Sequence, residues 1–282
     1  METRQLFETI AVGTNIAMGF PLEESLAMLA DIGVKHVELS CIAGMCEHIE
    51  PQRMDPEYAG TTLRMLEKYG LDCPAVAGHV DLTREAQLRE FLKKVEFAGR
   101  IGARYINTNS GPLERFDIFL KNMDRVIEQA EKWNVIVCLE SHGDIIGTAR
   151  ESAAHVARFQ HPLVRMNYDT GNTYFYEKGE VDIADDLAYS RDVLAYMHIK
   201  DVKIRGNRVD YTAIGEGDLN FNLIFRRLLE MGRSIPASLE IPVFVGGTLD
   251  GIGPQDPPLS QEYICQTVRK SYEFVTQAIS TL

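Results

Sequence analysis

Four side chains in this sequence are of the types that hold a divalent metal ion: Glu140, Asp169, His198 and Glu240, each closing a short apolar run. Burying a carboxylate there is costly unless it is paired or metal-bound, and three sharing one space would repel one another strongly. A divalent cation removes both penalties. Three carboxylates and one imidazole suit a borderline-hard ion, Mn²⁺ by preference, with Mg²⁺, Co²⁺ and Zn²⁺ also compatible and positions left open for substrate oxygens. The alternative is an ion-pair cluster with a purely structural role. Further polar residues follow comparable runs: Glu38, Ser40, His79, Asn107, Asn109, His142, Asn172 and Lys200, with Arg205 in a later loop. Of these, His142 is a candidate second acid/base. Glu38, His79, Asn109, Lys200 and Arg205 are candidate substrate contacts, the two cations suiting a hydroxyl or an anion.

These residues can share a site only if their runs lie side by side. Eight β-rich runs are legible, at 10–14, 36–40, 73–79, 104–109, 135–140, 164–169, 195–200 and 237–241. They are short, mostly apolar and rich in β-branched or aromatic residues, as buried parallel strands are. Helical segments lie between them. Pro21 with Glu23 and Glu24 opens one that ends at Ile32-Gly33, residues 56–69 end at Gly70, and 84–100 end near Gly102. Phe119, Leu120, Met123, Val126 and Ile127 recur at helical spacing within 117–133, and further helices are expected at 149–159, 182–192, 221–231 and 261–279.

Eight strand-then-helix units with right-handed crossovers close into a (β/α)₈ barrel. The expectation is therefore an α/β fold with one barrel domain over residues 1–282, whose strand carboxyl ends face a common mouth. An open doubly wound sheet would place a GxGxxG turn after its first strand, and Gly13 to Gly19 lacks that pattern. Residues 205–218 and 244–258 are long for connections and read as lid or binding loops.

Composition narrows the class further. With 282 residues, 45% hydrophobic and 25% charged, the chain is an ordinary globular one with room for a large core. Twenty-nine basic against forty-one acidic residues leave a net charge of −12, which argues against nucleic-acid and anionic-membrane partners. Five cysteines, odd in number and without CxxC spacing, argue against a disulfide framework or a thiolate zinc site. The opening METRQLFETI is charged where a signal peptide would be apolar, and no run reaches the roughly 20 apolar residues that span a bilayer. A cytoplasmic location is expected, and the 244–258 loop is a candidate surface for homo-oligomer contact.

Five motifs between residues 139 and 240 carry a resemblance that extends over the whole chain: Leu139-Glu140, Asp169-Thr170-Gly171-Asn172, His198-Ile199-Lys200-Asp201, Gly215-Glu216-Gly217-Asp218 and Leu239-Glu240. Together they resemble the xylose isomerase-like superfamily of sugar-phosphate isomerases and epimerases, with its ketose 3-epimerases, inosose dehydratases and hydroxypyruvate isomerases. The resemblance implies that Glu140, Asp169, His198 and Glu240 hold one divalent ion, and that the two glutamates exchange protons with substrate. A metal chelating adjacent carbonyl and hydroxyl oxygens stabilises the enediolate left when the neighbouring C–H loses its proton. Return of a proton from the other face inverts the carbon, whereas a leaving group β to it would be expelled. His142 departs from the epimerase pattern toward the dehydratase and keto-sugar side. The endonuclease IV branch shares the barrel, but two of its metal-binding histidines correspond here to Asn172 and Thr212.

The expected activity is thus metal-dependent isomerisation or epimerisation of a sugar or polyol by proton abstraction next to a carbonyl. A dehydratase or lyase acting on an inosose or 3-keto-glycoside is the alternative. A non-catalytic sugar-binding barrel is the alternative of another class.

Overall fold

The computed structural model describes residues 6–254 and 259–282; the first five residues of the opening segment and the end of the 244–258 loop lie outside that range. Eight parallel strands close into one barrel: β1 (Phe7–Gly13), β2 (His36–Ser40), β3 (Asp72–Ala77), β4 (Tyr105–Thr108), β5 (Ile136–Glu140), β6 (Val164–Asp169), β7 (Leu194–Ile199) and, after the hairpin strands β8 (Asp201–Arg205) and β9 (Arg208–Thr212), β10 (Ile235–Leu239). Neighbours around the ring run in chain order, and β1 pairs with both β2 and β10. The fold is the expected (β/α)₈ barrel.

Helices α1 (Leu22–Asp31), α2 (Pro56–Tyr69), α3 (Glu85–Arg100), α4 (Phe116–Trp133), α5 (Ala149–Ala157), α6 (Thr170–Tyr176), α7 (Ile183–Leu187), α8 (Phe221–Glu230) and α9 (Gln261–Ser280) complete the chain. Local chemistry sets several of their ends. Asp55 accepts the Tyr58 N–H and Pro56 occupies the first turn of α2, while Gly70 ends it in the left-handed region at φ 62°. On α4, Phe119, Met123, Val126 and Ala130 form the stripe buried against the barrel. No described helix is long and apolar enough to cross a membrane.

Besides the unexpected α6, two features depart from the sequence reading. Residues 201–212 and 245–254 form hairpins rather than irregular loops, and β8, β9, β11 (Val245–Thr248) and β12 (Gly251–Pro254) make a four-stranded antiparallel sheet. Val202, Val209, Tyr211, Phe175, Phe244 and Val245 give that sheet a small core of its own beside the barrel mouth. The second departure is the helix expected at 182–192, which shortens to α7 and a 3₁₀ turn at Ala188–Ser190. The five cysteines are all free thiols.

Candidate metal centre

Parallel register delivers the site. Asp169 lies opposite His198 across β6 and β7, and Glu140 lies opposite Asn167 across β5 and β6. Glu240 follows β10 directly, its backbone N–H donating to the Ile199 carbonyl. Glu140, Asp169, His198 and Glu240 are all buried, and one ligand atom from each lies within 4.8 Å of the others. His198 Nδ1 stands 3.1 Å from Glu140 Oε2, 3.0 Å from Glu240 Oε2 and 3.5 Å from Asp169 Oδ2.

The four side chains differ in how they are held. Glu140 is heavily supported, accepting from His79 Nε2, Asn167 Nδ2 and Asn172 Nδ2, each at 3.0 Å. Glu240 accepts from Asn15 Nδ2 at 3.1 Å and faces the Lys200 ammonium at 2.8 Å. Lys200 also reaches Asp169 Oδ2 at 2.7 Å and donates to Asn172 Oδ1 at 3.0 Å. Its stem passes over Gly171, where a β-carbon would come within 2.6 Å of Lys200 Cγ. Behind His198, Glu38 takes the Nε2–H at 3.0 Å, which turns Nδ1 toward the centre.

Burial opposes charge on every one of these groups, and their partners decide the outcome. Glu140 is desolvated, yet His79 and His198 hold its carboxyl well below the usual range. Glu240 is lowered too, by Lys200 and His198 against its burial. Desolvation works against the His198 and Lys200 charges, but the surrounding carboxylates raise both far above their ordinary values. For Asp169 burial prevails and the value rises, Lys200 notwithstanding.

Asp169 Oδ2, His198 Nδ1 and Glu240 Oε2 are buried and lack a properly directed hydrogen bond, although opposite charges face them at ion-pair distance. Buried polar atoms left this way call for an explanation, and the oxygen and imidazole donor set fits a divalent cation. Such an ion would take the place of the proton on Nδ1.

Above the centre opens a cavity of about 270 Å³, bounded by Glu140, Glu240, Lys200, His79, His142 and Asn172 on the barrel side. His142 sits in its wall, its Nδ1 3.1 Å from the Tyr176 hydroxyl and its ring 6.1 Å from that of His79. Three expected substrate contacts lie elsewhere. Glu38 is almost wholly buried beneath His198 and Asn107, one layer below the cavity. Asn109 lines a separate acidic cavity with Asp81, Asp144 and Glu151, because β4 ends at Thr108 and the chain turns away. Arg205 is carried out to the β8–β9 turn, where it pairs with Asp218 at 2.8 Å.

Sequence reasoning missed several supporting residues. Asn15 and Asn167 donate to the two glutamates; the first follows β1 closely, and the second lies two residues before Asp169 and so on the same strand face. Lys94, fully buried on α3, donates to the carbonyls of Cys41 at 2.9 Å and Gly78 at 3.4 Å, pinning the chain immediately before His79. No periodic signal marks a lysine on a helix as an inward-facing one.

Residues 26–261 match the family described as the xylose isomerase-like TIM barrel. The chain belongs to that family. Its fold is shared by a xylose isomerase domain protein from Planctomyces limnophilus, with a TM-score of 0.76, 15% identity and coverage of 98% of this chain and 99% of that one. D-psicose 3-epimerase from Clostridium cellulolyticum H10 superposes with a TM-score of 0.74 at 13% identity, covering 96% of this chain and 99% of the other. A xylose isomerase-like TIM barrel protein from Mycobacterium smegmatis, solved in complex with magnesium, gives 0.72 at 15% identity over 97% of each chain.

Proposed function

We propose that this xylose isomerase-like barrel is a divalent-metal-dependent sugar isomerase or epimerase that removes a proton from carbon next to a carbonyl. One observation carries the reading: Glu140, Asp169, His198 and Glu240 converge from adjacent strand ends with three buried atoms that lack a directed hydrogen bond. The epimerase and magnesium-bound neighbours support it. Mn²⁺ is the preferred ion and Mg²⁺ the next. When bound, the ion supplies Lewis acidity toward a carbonyl and its neighbouring hydroxyl.

The chain's own residues divide the remaining work. Glu240, which accepts from Asn15 on Oε1 and faces Lys200 on Oε2, is tied by fewer directed hydrogen bonds than Glu140 and takes the substrate proton. Glu140, with three donors, is oriented as a ligand, and proton return falls to it or to His142 across the cavity. Lys200 stabilises negative charge developing on substrate oxygen. The position of His142 in the cavity wall favours one second reading, elimination from an inosose or a 3-keto-glycoside, where it would protonate the leaving group.

The test is metal analysis combined with proton exchange. Close to one divalent ion per chain is expected, and ketoses and keto-glycosides incubated in D₂O should acquire solvent deuterium. Glu240→Gln should abolish the exchange. Undiminished exchange in that variant, or full activity with far less than one ion per chain, would refute the mechanism.

A further inference from the structure

Two tyrosines line the cavity above the centre, and they are held differently. The Tyr176 hydroxyl lies 3.1 Å from His142 Nδ1 and is committed there. Tyr211 is only 5% exposed, yet among the described residues nothing hydrogen-bonds to its hydroxyl. A buried tyrosine hydroxyl ordinarily has a partner. Burial raises its pKa, against the nearby Lys200 ammonium, so at neutral pH the group is an O–H donor. The β8–β9 hairpin fixes where it sits. Tyr211 pairs with Val202, two residues beyond Lys200, and the centre of its ring lies 5.7 Å from Lys200 Nζ. The residue also belongs to the packed core of the antiparallel sheet, with Val202, Val209, Phe175, Phe244 and Val245. Its ring is therefore set in place by packing, and its hydroxyl is left for the cavity.

We infer that Tyr211 is a substrate-binding residue whose hydroxyl donates to a substrate hydroxyl beyond the two oxygens held at the cavity floor. The substrate is then a keto-sugar or keto-polyol with hydroxyls past its reacting carbons, rather than a short hydroxy-carbonyl compound. The inference rests on the carbohydrate reading proposed above. On the floor the polar groups are engaged with one another: Asn172 donates to Glu140 and accepts from Lys200, His79 donates to Glu140, and Lys200 spans Asp169 and Glu240. A ligand offering only a carbonyl and its neighbouring hydroxyl is used up at that floor and leaves Tyr211 buried without a partner. A longer chain or a ring extends past Lys200 to reach it. Because the tyrosine is already packed, little side-chain freedom is lost when it takes up a ligand hydroxyl. A site built to hydrogen-bond a hydroxyl also rejects an analogue that lacks one, since its own buried polar group is then left unpaired.

Tyr211→Phe removes the hydroxyl and keeps the packed ring, and it tests the assignment. Broadening of ligand proton lines by the Mn²⁺-loaded protein reads affinity for hydroxyacetone, which has one carbonyl and one neighbouring hydroxyl, and for D-fructose and 3-keto-D-glucose, which have several hydroxyls more. The parent should bind at least one of the two sugars more tightly than hydroxyacetone. On that sugar the variant should lose about fivefold in affinity, the worth of one neutral hydrogen bond, while calorimetry finds its Mn²⁺ affinity unchanged. If the sugar binds both proteins equally, or if Mn²⁺ affinity falls along with it, the assignment of Tyr211 is refuted and the carbohydrate reading survives. If neither sugar binds the parent, both fall.

Discussion

Replacing Glu38 should weaken metal binding without touching a ligand. Its two carboxylate oxygens lie 3.2 and 3.0 Å from His198 Nε2, and Oε1 also accepts from Asn107 Nδ2 at 2.6 Å. With Nε2–H donated to this carboxylate, Nδ1 is fixed as the nitrogen that faces Glu140 and Glu240 and would give up its proton to an ion. Glu38→Gln retains an acceptor but loses the charge that makes the imidazole a stronger donor to metal, so affinity should fall about tenfold. Glu38→Ala loses orientation as well and should cost about a hundredfold, or about 2.7 kcal/mol. Alanine also leaves Asn107 Nδ2 and His198 Nε2 short of an acceptor in a buried layer, a destabilisation of about 1–3 kcal/mol. Calorimetric titration with Mn²⁺ reads the affinity, and urea unfolding of the metal-free protein reads the stability. A folded Glu38→Ala protein that binds Mn²⁺ as tightly as the parent would refute the argument that this carboxylate sets the histidine.

Gly217→Ala should destabilise the protein by about 3 kcal/mol, because its β-carbon would lie 2.1 Å from Asp201 Oδ1 and 2.7 Å from the Val202 carbonyl. The melting temperature of a chain this size should drop by about 5 °C, and an unchanged value would show that the loop yields freely. His48 gives a pH signature: burial lowers its pKa below the usual 6.5, against a hydrogen bond to the Phe20 carbonyl. The fold therefore holds it neutral, its contribution is complete above about pH 6.5, and stability declines as pH falls below that value and the unfolded chain takes up the proton. His48→Gln should shrink the loss of urea resistance between pH 7 and pH 5; an equal loss in both proteins would rule His48 out as a source.

Much of the barrel was legible because short apolar runs and helix punctuation repeat in strict alternation. The limits of α2 were readable to the residue, since Pro56 and Gly70 mark both ends chemically. The antiparallel sheet was not. Val202 and Ile204, then Val209 and Tyr211, alternate as strands do, but Asp201 follows β7 with one residue between, so two strands of different sheets read as one run and a loop. The helix α6 escaped notice because Asp169 has two roles, placing one oxygen in the buried cluster while the other caps Asn172 N–H. All four members of the candidate metal cluster were identifiable from their place at the ends of apolar runs. Depth was not: strand alternation shows that Glu38 faces inward, but only the stagger of the closed barrel shows that it lies beneath His198 rather than beside the cavity.

The pairing of the first barrel strand with the last one made has a consequence for synthesis. Asn15, just beyond β1, meets Glu240 across 225 residues of sequence. A nascent chain thus carries an open edge on β1 until Ile235–Leu239 has left the ribosome, and the four candidate metal-binding side chains arrive between residues 140 and 240. A product truncated before that point would lack Glu240 and expose two sticky flanks at once, so full-length translation is the step that both seals the cylinder and equips it.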